Sequence, residues 1–224
     1  MLGWPPASSV NVADSRVSEK VYQNLGNPPL LALFPGERGR VLDCGCGAGD
    51  NAQILHARGW KVTGITLSSA EQRAAAAFCE RVVLANLEAG LPDSVGGPFD
   101  VVLMSHVLEH LVAPENLLDA VKTVLAPDGI LAVALPNVLY YPVRLGALFG
   151  KFEYTVDGIM DETHVRFYTF ETGGQLLRKN GYRVLSARGD GAFPLWKLRR
   201  LLPDSWVRRL NRLACRARPG LFGR

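Results

Sequence analysis

The sequence predicts an α/β fold, a doubly wound and mostly parallel β-sheet with helices on both faces. Between residues 41 and 135, five short apolar segments alternate with helical segments, which is the pattern of consecutive βαβ units. A glycine-rich turn follows the first strand, at the end of the sheet where such folds bind their ligands. The 224 residues are 48% hydrophobic, with a mean hydropathy of +0.08, and can therefore bury one sizeable core.

The glycine-rich loop continues directly from the first strand. Residues 41–50 read Val-Leu-Asp-Cys-Gly-Cys-Gly-Ala-Gly-Asp, so that three glycines alternate between two acids. The glycines remove every second Cβ where the backbone must bend and approach a ligand. A dinucleotide site has the spacing Gly-x-Gly-x-x-Gly, and Asp50 at the helix start would repel its phosphates. The two acids, Asp43 and Asp50, favour a cationic ligand.

This loop resembles the first motif of class I S-adenosylmethionine-dependent methyltransferases, where it holds the methionine part of the cofactor. The resemblance covers residues 38–188 and implies S-adenosylmethionine as the cofactor. It also implies a Rossmann-like sheet of seven strands, of which the last is reversed. The residues of the loop that the resemblance assigns to cofactor binding are Asp43, Gly45, Cys46, Gly47 and Gly49.

The second predicted strand, residues 61–65, ends where this sequence departs from the family pattern. Most members place an acid there to accept both ribose hydroxyls, whereas this chain has Thr66. Residues 66–72 read Thr-Leu-Ser-Ser-Ala-Glu-Gln, similar to the Thr-Leu-Ser-x-x-Gln pattern of cyclopropane-fatty-acid synthases but one residue longer. Alternatively, Gln72 only caps the next helix, three residues after a predicted N-cap at Ser69. The residues that the likeness assigns to the ribose are Thr66, Leu67 and Gln72.

The third and fourth predicted strands supply the remaining cofactor contacts. The third strand, residues 82–85, ends at Asn86, where the family often places an acid that binds the adenine amino group. The side-chain oxygen of Asn86 can accept the same hydrogen. The fourth strand, residues 99–104, ends at the same edge of the sheet. The contacts predicted at these two strand ends are Asn86, Leu87 and Ser105.

The remaining elements complete the predicted sheet. A helix over residues 114–125 leads through a Pro-Asp-Gly turn to a fifth strand over residues 130–135. Residues 137–166 then interrupt the alternating pattern, and we expect this insertion to form a lid that selects the substrate. A helix over residues 171–179 and a strand over residues 181–185 are expected to close the sheet.

Three of the four histidines are candidates for a general base. Methyl transfer mainly requires alignment of the acceptor with the methyl group, but a hydroxyl acceptor also needs a base that works near neutral pH. His106 and His110 follow the fourth strand. His164 begins a His-x-Arg-Phe-Tyr-Thr signature that resembles methyltransferases of bacterial lipid, glycan and natural-product pathways. Alternatively, all three histidines are structural.

A metal site is not predicted. Glu109 and His110 resemble a metal-assisting pair in ubiquinone-pathway O-methyltransferases, but the sequence offers no clear third ligand. The four cysteines show neither zinc-site spacing nor a disulfide pattern.

The C-terminal part of the chain is basic. Residues 188–224 contain ten Lys or Arg and two Asp, a net charge of +8, whereas the rest of the chain carries −4. Residues 204–216 form a predicted amphipathic helix, with Trp206 and Leu213 on an apolar face and arginines four residues apart on another. Such a helix can lie on a membrane surface. Alternatively, its apolar face packs on the sheet and its arginines are solvated.

The sequence thus predicts three regions: an N-terminal helical cap (1–37), a methyltransferase domain (38–188) and a basic C-terminal extension (189–224). It begins without a signal segment, so we expect a cytoplasmic protein with peripheral membrane contact through the basic helix.

The expected function is methyl transfer to a hydroxyl, less readily to an amine or carbon, of a small or lipid-linked acceptor. The alternative is a non-catalytic cofactor-binding or scaffolding subunit, because Thr66 and Asn86 replace the usual acids. Nucleic acid is not an expected substrate, since no Asn/Asp-Pro-Pro-Tyr motif follows the fourth strand.

Overall fold

The computed structural model describes residues 25–36, 38–195 and 200–224. The chain forms two compact units, Met1–Ala134 and Leu135–Arg224. Most of the predicted N-terminal cap lies outside the described residues, and its described part contains one short helix, α1 (Pro28–Leu31). None of the helices in the described ranges is long and apolar enough to cross a membrane.

The first unit alternates strands and helices along the chain. Its strands are β1 (Arg40–Cys44), β2 (Lys61–Thr66), β3 (Arg81–Leu84), β4 (Phe99–Ser105) and β5 (Leu125–Ala134). Its longer helices are α2 (Asp50–Ala57), α3 (Ser69–Ala75) and α4 (Pro114–Val124). All neighbouring strands pair in parallel, in the order β3-β2-β1-β4-β5. The predicted parallel α/β sheet is therefore confirmed.

Burial explains the apolar composition of the central strands. β1 and β2 are buried over nearly their whole length, as expected for parallel strands that are covered on both faces. Their side chains join a core cluster with Leu55 and Trp60, and the Trp60 ring meets Phe34 edge-on at 5.3 Å between centroids. Because each fully buried Leu or Val contributes about 1.5–3 kcal/mol, this core holds the strand ends at fixed positions.

The strand order reverses at β1, and this reversal decides where a ligand can bind. β1 pairs with β2 on one side and with β4 on the other. At such a switch point the loops that follow the two strands diverge and leave a crevice at the carboxyl ends. The residues that follow β1 to β4 therefore border one edge of the sheet.

The fifth strand begins earlier than the sequence predicts. The Pro-Asp-Gly segment lies inside β5, so the prediction of a separate turn before this strand is wrong. The pairing with β4 passes from Phe99↔Leu125 to Val101↔Ile130, and the intervening residues are accommodated as an irregularity in the strand. A Cβ at Gly129 would lie 2.8 Å from the carbonyl oxygen of Phe99, so this close approach requires glycine.

Helices are the main regular elements of the second unit in its described part. Its helices are α5 (Tyr141–Leu148), α6 (Phe170–Lys179), α7 (Asp204–Ala217) and α8 (Pro219–Phe222). Thr169 and Thr172 cap the start of α6 reciprocally. The side-chain amide of Asn137 donates to the carbonyls of Gly220 (3.2 Å) and Gly223 (2.7 Å), which attaches the C-terminal turn to the start of the 137–166 segment.

The expected sheet of seven strands with a reversed last strand is wrong for the described residues, which contain five parallel strands. Residues 181–185, the predicted closing strand, do not form a strand. The chain that follows bonds to the C-terminal residues: the carbonyl of Asp190 accepts from the backbone N–H of Arg224 at 2.8 Å, and the backbone N–H of Phe193 donates to the side-chain oxygen of Asn211, in α7, at 2.9 Å. These contacts satisfy one backbone carbonyl and one backbone N–H of the chain that follows the predicted strand.

Candidate active site

The glycine-rich loop turns sharply between β1 and α2. Gly45, Gly47 and Gly49 have φ values of 71°, 53° and 94°, a left-handed conformation that favours glycine. The backbone N–H of Cys46 donates to the carbonyl of Ile65 at 2.8 Å and ties the loop to the end of β2. Burial raises the pKa of the Cys46 thiol, so this residue contributes its backbone and small volume rather than a thiolate.

Asp43 places a buried carboxyl at the end of β1. Only 1% of its surface is exposed, and within the described residues neither carboxylate oxygen has a hydrogen-bond partner. Burial raises the pKa of this carboxyl to about 7, because a surrounding of low polarity disfavours the charged form. A cationic group beside Asp43 would favour its ionised form. The position therefore fits the ammonium group of S-adenosylmethionine.

The start of α3 differs by one residue from the prediction. Ser68, not Ser69, is the N-cap, and its hydroxyl accepts from the backbone N–H of Glu71 at 3.3 Å. Two adjacent serines offer the same capping group, so local sequence could not choose between them. The side-chain amide of Gln72 donates to the carbonyl of Val82 in β3 at 2.9 Å. Its assignment to the ribose stays a prediction.

Thr66, the last residue of β2, is the centre of a short hydrogen-bonded chain. Its hydroxyl accepts from the backbone N–H of Ser68 at 3.2 Å and donates to the carboxylate of Glu71. Both Thr66 and Glu71 are buried, while Leu67 between these elements is half-buried. The structure thus brings a carboxylate to the end of β2, although the sequence has no acid at the strand end itself.

The end of β3 is held by hydrogen bonds to neighbouring segments. The Asn86 side-chain oxygen accepts from the backbone N–H of Glu88 at 3.0 Å, and Leu87 between them is buried. The Glu88 carboxylate accepts from the backbone N–H groups of Val112 and Ala113, both at 2.8 Å. A carbonyl oxygen has two acceptor positions, so Asn86 can still accept from an adenine amino group.

The end of β4 carries a histidine and carboxylate pair. Nδ1 of His106 lies 3.2 Å from Oε1 of Glu109; the His106 side chain is 54% exposed, whereas that of Glu109 is fully buried. His106 has a φ of 59°. A positive φ is uncommon for a residue other than glycine. The preceding residue, Ser105, accepts from the side-chain amide of Asn27 at 3.2 Å.

The other two candidate histidines have different surroundings. His110 is exposed at the end of a 3-10 turn, Leu108–His110. His164 lies in the second unit, where it is 9% exposed and its Nδ1 lies 3.1 Å from the carbonyl oxygen of Ile159. The His106 imidazole combines a side chain that is 54% exposed with a contact to a buried carboxylate in the first unit.

Two acids in this region were not among the predicted site residues. Glu71 stands three residues after the N-cap Ser68, the spacing of a capping box, and that spacing was a usable signal. Glu109 stands three residues after His106, a spacing that brings side chains together within one turn. Both signals indicate proximity, but neither indicates burial at a ligand-binding edge.

Comparison with known proteins gives a consistent result. Residues 19–187 match the family model described as a methyltransferase domain. The ubiquinone biosynthesis O-methyltransferase of Chromobacterium violaceum is 29% identical over 182 residues, which cover 75% of each protein. The protein of the same name from Cupriavidus pinatubonensis is 30% identical over 196 residues, which cover 81% of this chain and 76% of that protein.

Solved structures share the fold at lower identity. The S-adenosylmethionine-dependent methyltransferase of Mesorhizobium loti is 18% identical, with a TM-score of 0.57 and coverage of 88% of this chain and 93% of that one. A corresponding structure from Archaeoglobus fulgidus is 21% identical, with a TM-score of 0.55 and coverage of 88% and 86%. These likenesses support the same α/β architecture.

Proposed function

The chain belongs to the methyltransferase-domain family and is an S-adenosylmethionine-dependent methyltransferase of small molecules; from this premise we propose that it methylates a hydroxyl of a small or lipid-linked acceptor. The single observation that carries this proposal is the contact between His106 and Glu109 at the end of β4. The similar proteins are named O-methyltransferases, which supports oxygen over nitrogen or carbon. The non-catalytic alternative has no support from these relatives.

The first unit offers groups for each part of the cofactor. Asp43 and the glycine-rich loop would hold the methionine part, with the ionised Asp43 carboxylate opposite the ammonium group. Bound S-adenosylmethionine would supply an electrophilic methyl group, because its sulfonium sulfur leaves readily as a neutral thioether. For the ribose, the adenine and the intervening edge we propose Thr66, Leu67, Asn86, Leu87 and Ser105. Gln72, the other residue that the sequence assigns to the ribose, donates its side-chain amide to the carbonyl of Val82 instead.

His106 is the proposed general base. A hydrogen bond from Nδ1–H to the Glu109 carboxylate leaves Nε2 as the acceptor of a proton. The exposed ring can reach an acceptor hydroxyl, while the buried carboxylate stabilises the protonated imidazole that forms. Such uncommon backbone conformations as that of His106 cluster at functional sites. His164 and His110 stay the other candidate bases.

A hydroxyl acceptor is tested by matched substrates. Purified protein is incubated with methyl-labelled S-adenosylmethionine and with pairs of phenols and anilines that share one ring system. We expect the phenols to be methylated and the anilines not, since His106 can take a phenolic proton in the transfer step. If the anilines were methylated and the phenols were not, the proposed acceptor would be overturned, while the enzyme class would stand.

We also propose contact between α7 and an anionic membrane surface. Trp206 (61% exposed) and Leu213 (52% exposed) are among the exposed residues of α7, together with Arg209, Arg212 and Arg216. Val207 and Cys215 face the interior of the second unit, so the structure divides the predicted apolar face into a packed part and an exposed part. An exposed surface that combines Trp, Leu and several arginines suits the interface of an anionic bilayer.

A further inference from the structure

Besides Asp43 and Glu109, another buried acid stands at the ligand-binding edge of the first unit. Glu71 is 5% exposed, and its carboxylate accepts a hydrogen bond from the Thr66 hydroxyl. We propose that Glu71 binds the ribose hydroxyls of S-adenosylmethionine and that Thr66 positions its carboxylate. This proposal rests on the cofactor of the family and adds a residue to the ribose contacts that the sequence predicts.

The strand order places Glu71 where a ribose would lie. Thr66 ends β2, which stands between β1 and β3 in the sheet. The proposed methionine-binding loop follows β1, and Asn86, proposed for the adenine, follows β3. The ribose joins these two parts of the cofactor, so it falls at the end of β2. The hydrogen bond from Cys46 N–H to Ile65 draws the loop toward this end.

The chemistry of the ribose favours Glu71 over Thr66 as the acceptor. Two adjacent hydroxyls can each donate to one oxygen of a carboxylate, and such charge-assisted bonds are about twice as strong as neutral ones. The Thr66 hydroxyl has one hydrogen, which it donates to Glu71, while its oxygen accepts from the Ser68 N–H. Thr66 is therefore engaged in holding the carboxylate. The acid that most family members carry at the strand end is supplied here from the first turn of α3.

A capping role for Glu71 makes a different prediction. Glu is common three residues after an N-cap serine because it stabilises the first helical turn. A residue that only caps would affect thermal stability, and its replacement would not change how strongly binding depends on the ribose hydroxyls. A ribose ligand, by contrast, couples energetically to those hydroxyls.

The experiment is a cycle between protein and ligand variants. Wild type, Glu71→Gln and Glu71→Ala are titrated calorimetrically with S-adenosylhomocysteine and with the analogue that lacks both ribose hydroxyls. We expect wild type to bind the analogue about tenfold to a hundredfold more weakly. Glu71→Ala should bind both ligands within threefold of each other, and Glu71→Gln should lie between. Glu80→Gln, which changes an exposed acid paired with Lys61, should keep the wild-type difference.

Thr66 variants test the positioning role. Thr66→Val should reduce the dependence on the ribose hydroxyls, and Thr66→Ser, which keeps the hydroxyl, should restore it. Thr66→Asp should weaken the binding of S-adenosylhomocysteine, because the new carboxylate would repel the buried Glu71 carboxylate and displace it.

Three outcomes separate the assignments. The proposal would be overturned if wild type and both Glu71 variants lost the same factor in affinity between S-adenosylhomocysteine and the analogue, even if the melting temperatures of the variants fall. Equal affinity of wild type for both ligands would also reject Glu71 while leaving cofactor binding intact. Failure of wild type to bind S-adenosylhomocysteine at all would contradict the cofactor assignment, and the Glu71 proposal with it.

Discussion

Nδ1 of His106 lies 3.2 Å from Oε1 of Glu109, an exposed imidazole held by a fully buried carboxylate. The 3-10 turn Leu108–His110 brings the carboxylate under the ring, and the positive φ of His106 turns the chain away from β4. The pair thereby orients one ring nitrogen toward Glu109, and the other ring nitrogen is the proposed proton acceptor. Neither residue alone would define which imidazole nitrogen accepts a proton.

Loss of the His106 imidazole is expected to reduce catalysis without affecting cofactor binding. His106→Ala should lower kcat about a hundredfold, as removal of a general base commonly does, while S-adenosylhomocysteine affinity stays within twofold. Glu109→Gln should lower kcat about tenfold, because the ring loses its orienting carboxylate. His56→Ala, at an exposed position of α2, is the control and should retain activity. Full activity of His106→Ala together with inactive His164→Ala would assign the base to His164.

The buried Asp43 carboxyl is expected to reduce stability at neutral and higher pH. Its pKa in the folded protein is about 7, against an ordinary 3.8, so the folded state binds the proton more tightly. The contribution of Asp43 to stability is most favourable below pH 4, falls as the pH rises from about 4 to about 7, and stays unfavourable above pH 7.

Asp43→Asn removes this dependence. The difference in free energy of unfolding, Asp43→Asn minus wild type, should rise by up to roughly 4 kcal/mol as the pH goes from 4 to 8. The cofactor affinity of this variant should fall at least tenfold. Urea denaturation across this pH range is the measurement, and Asp119→Asn, at an exposed acid of α4, is the control. Parallel stability curves for wild type and Asp43→Asn would contradict the raised pKa.

The glycine-rich loop is expected to require glycine at position 47. Gly47 has a φ of 53°, so Gly47→Val combines an unfavourable backbone conformation with a branched side chain at the proposed cofactor surface. Calorimetry should detect no binding of S-adenosylhomocysteine. Gly59→Val shares the positive φ but lies before β2, away from the loop, and should lose stability yet keep binding. Retained affinity in a folded Gly47→Val protein would place the cofactor elsewhere.

Gln72 is expected to contribute mainly to stability. Its amide donates to the carbonyl of Val82, and loss of such a bond costs about 1 kcal/mol. Gln72→Ala should therefore lower the melting temperature while changing cofactor affinity at most twofold. A fivefold loss of affinity would instead support the ribose contact that the sequence pattern predicts for Gln72. Calorimetry and thermal denaturation of the same sample distinguish these results.

The exposed face of α7 is expected to bind anionic vesicles. Co-sedimentation should recover the full chain with phosphatidylglycerol vesicles but not with phosphatidylcholine vesicles, and 0.5 M salt should reduce the bound fraction because charges are screened, with a Debye length of about 4 Å. Trp206→Ala combined with Arg212→Glu should abolish recovery. Lys179→Glu, at an exposed position of α6, is the matched charge control. Equal recovery of all variants would assign the arginines to a solvated surface.

Local patterns in the sequence were sufficient for the parallel sheet and the glycine-rich loop. Apolar runs, helical spacing and alternate glycines act over a few residues, and their physical causes are burial and backbone sterics. Residues 127–129 and 181–185 were misassigned because local turn and strand signals depend on the partner strand. β4 pairs with Leu125 and Ile130, on either side of the Pro-Asp-Gly segment, and so keeps this segment within β5. The C-terminal residues bond to the chain after α6.

The sequence alone determined the parallel α/β sheet, the loop after β1 and the family's cofactor, because each is encoded by contiguous residues. Only the tertiary structure decided which acids are buried at the ligand edge: it gave Asp43 a raised pKa, joined Thr66 to Glu71 and placed Glu109 beneath His106. Burial, pKa and hydrogen-bond partners depend on segments that are distant in the chain, and these properties emerge only when the sheet brings the strand ends together.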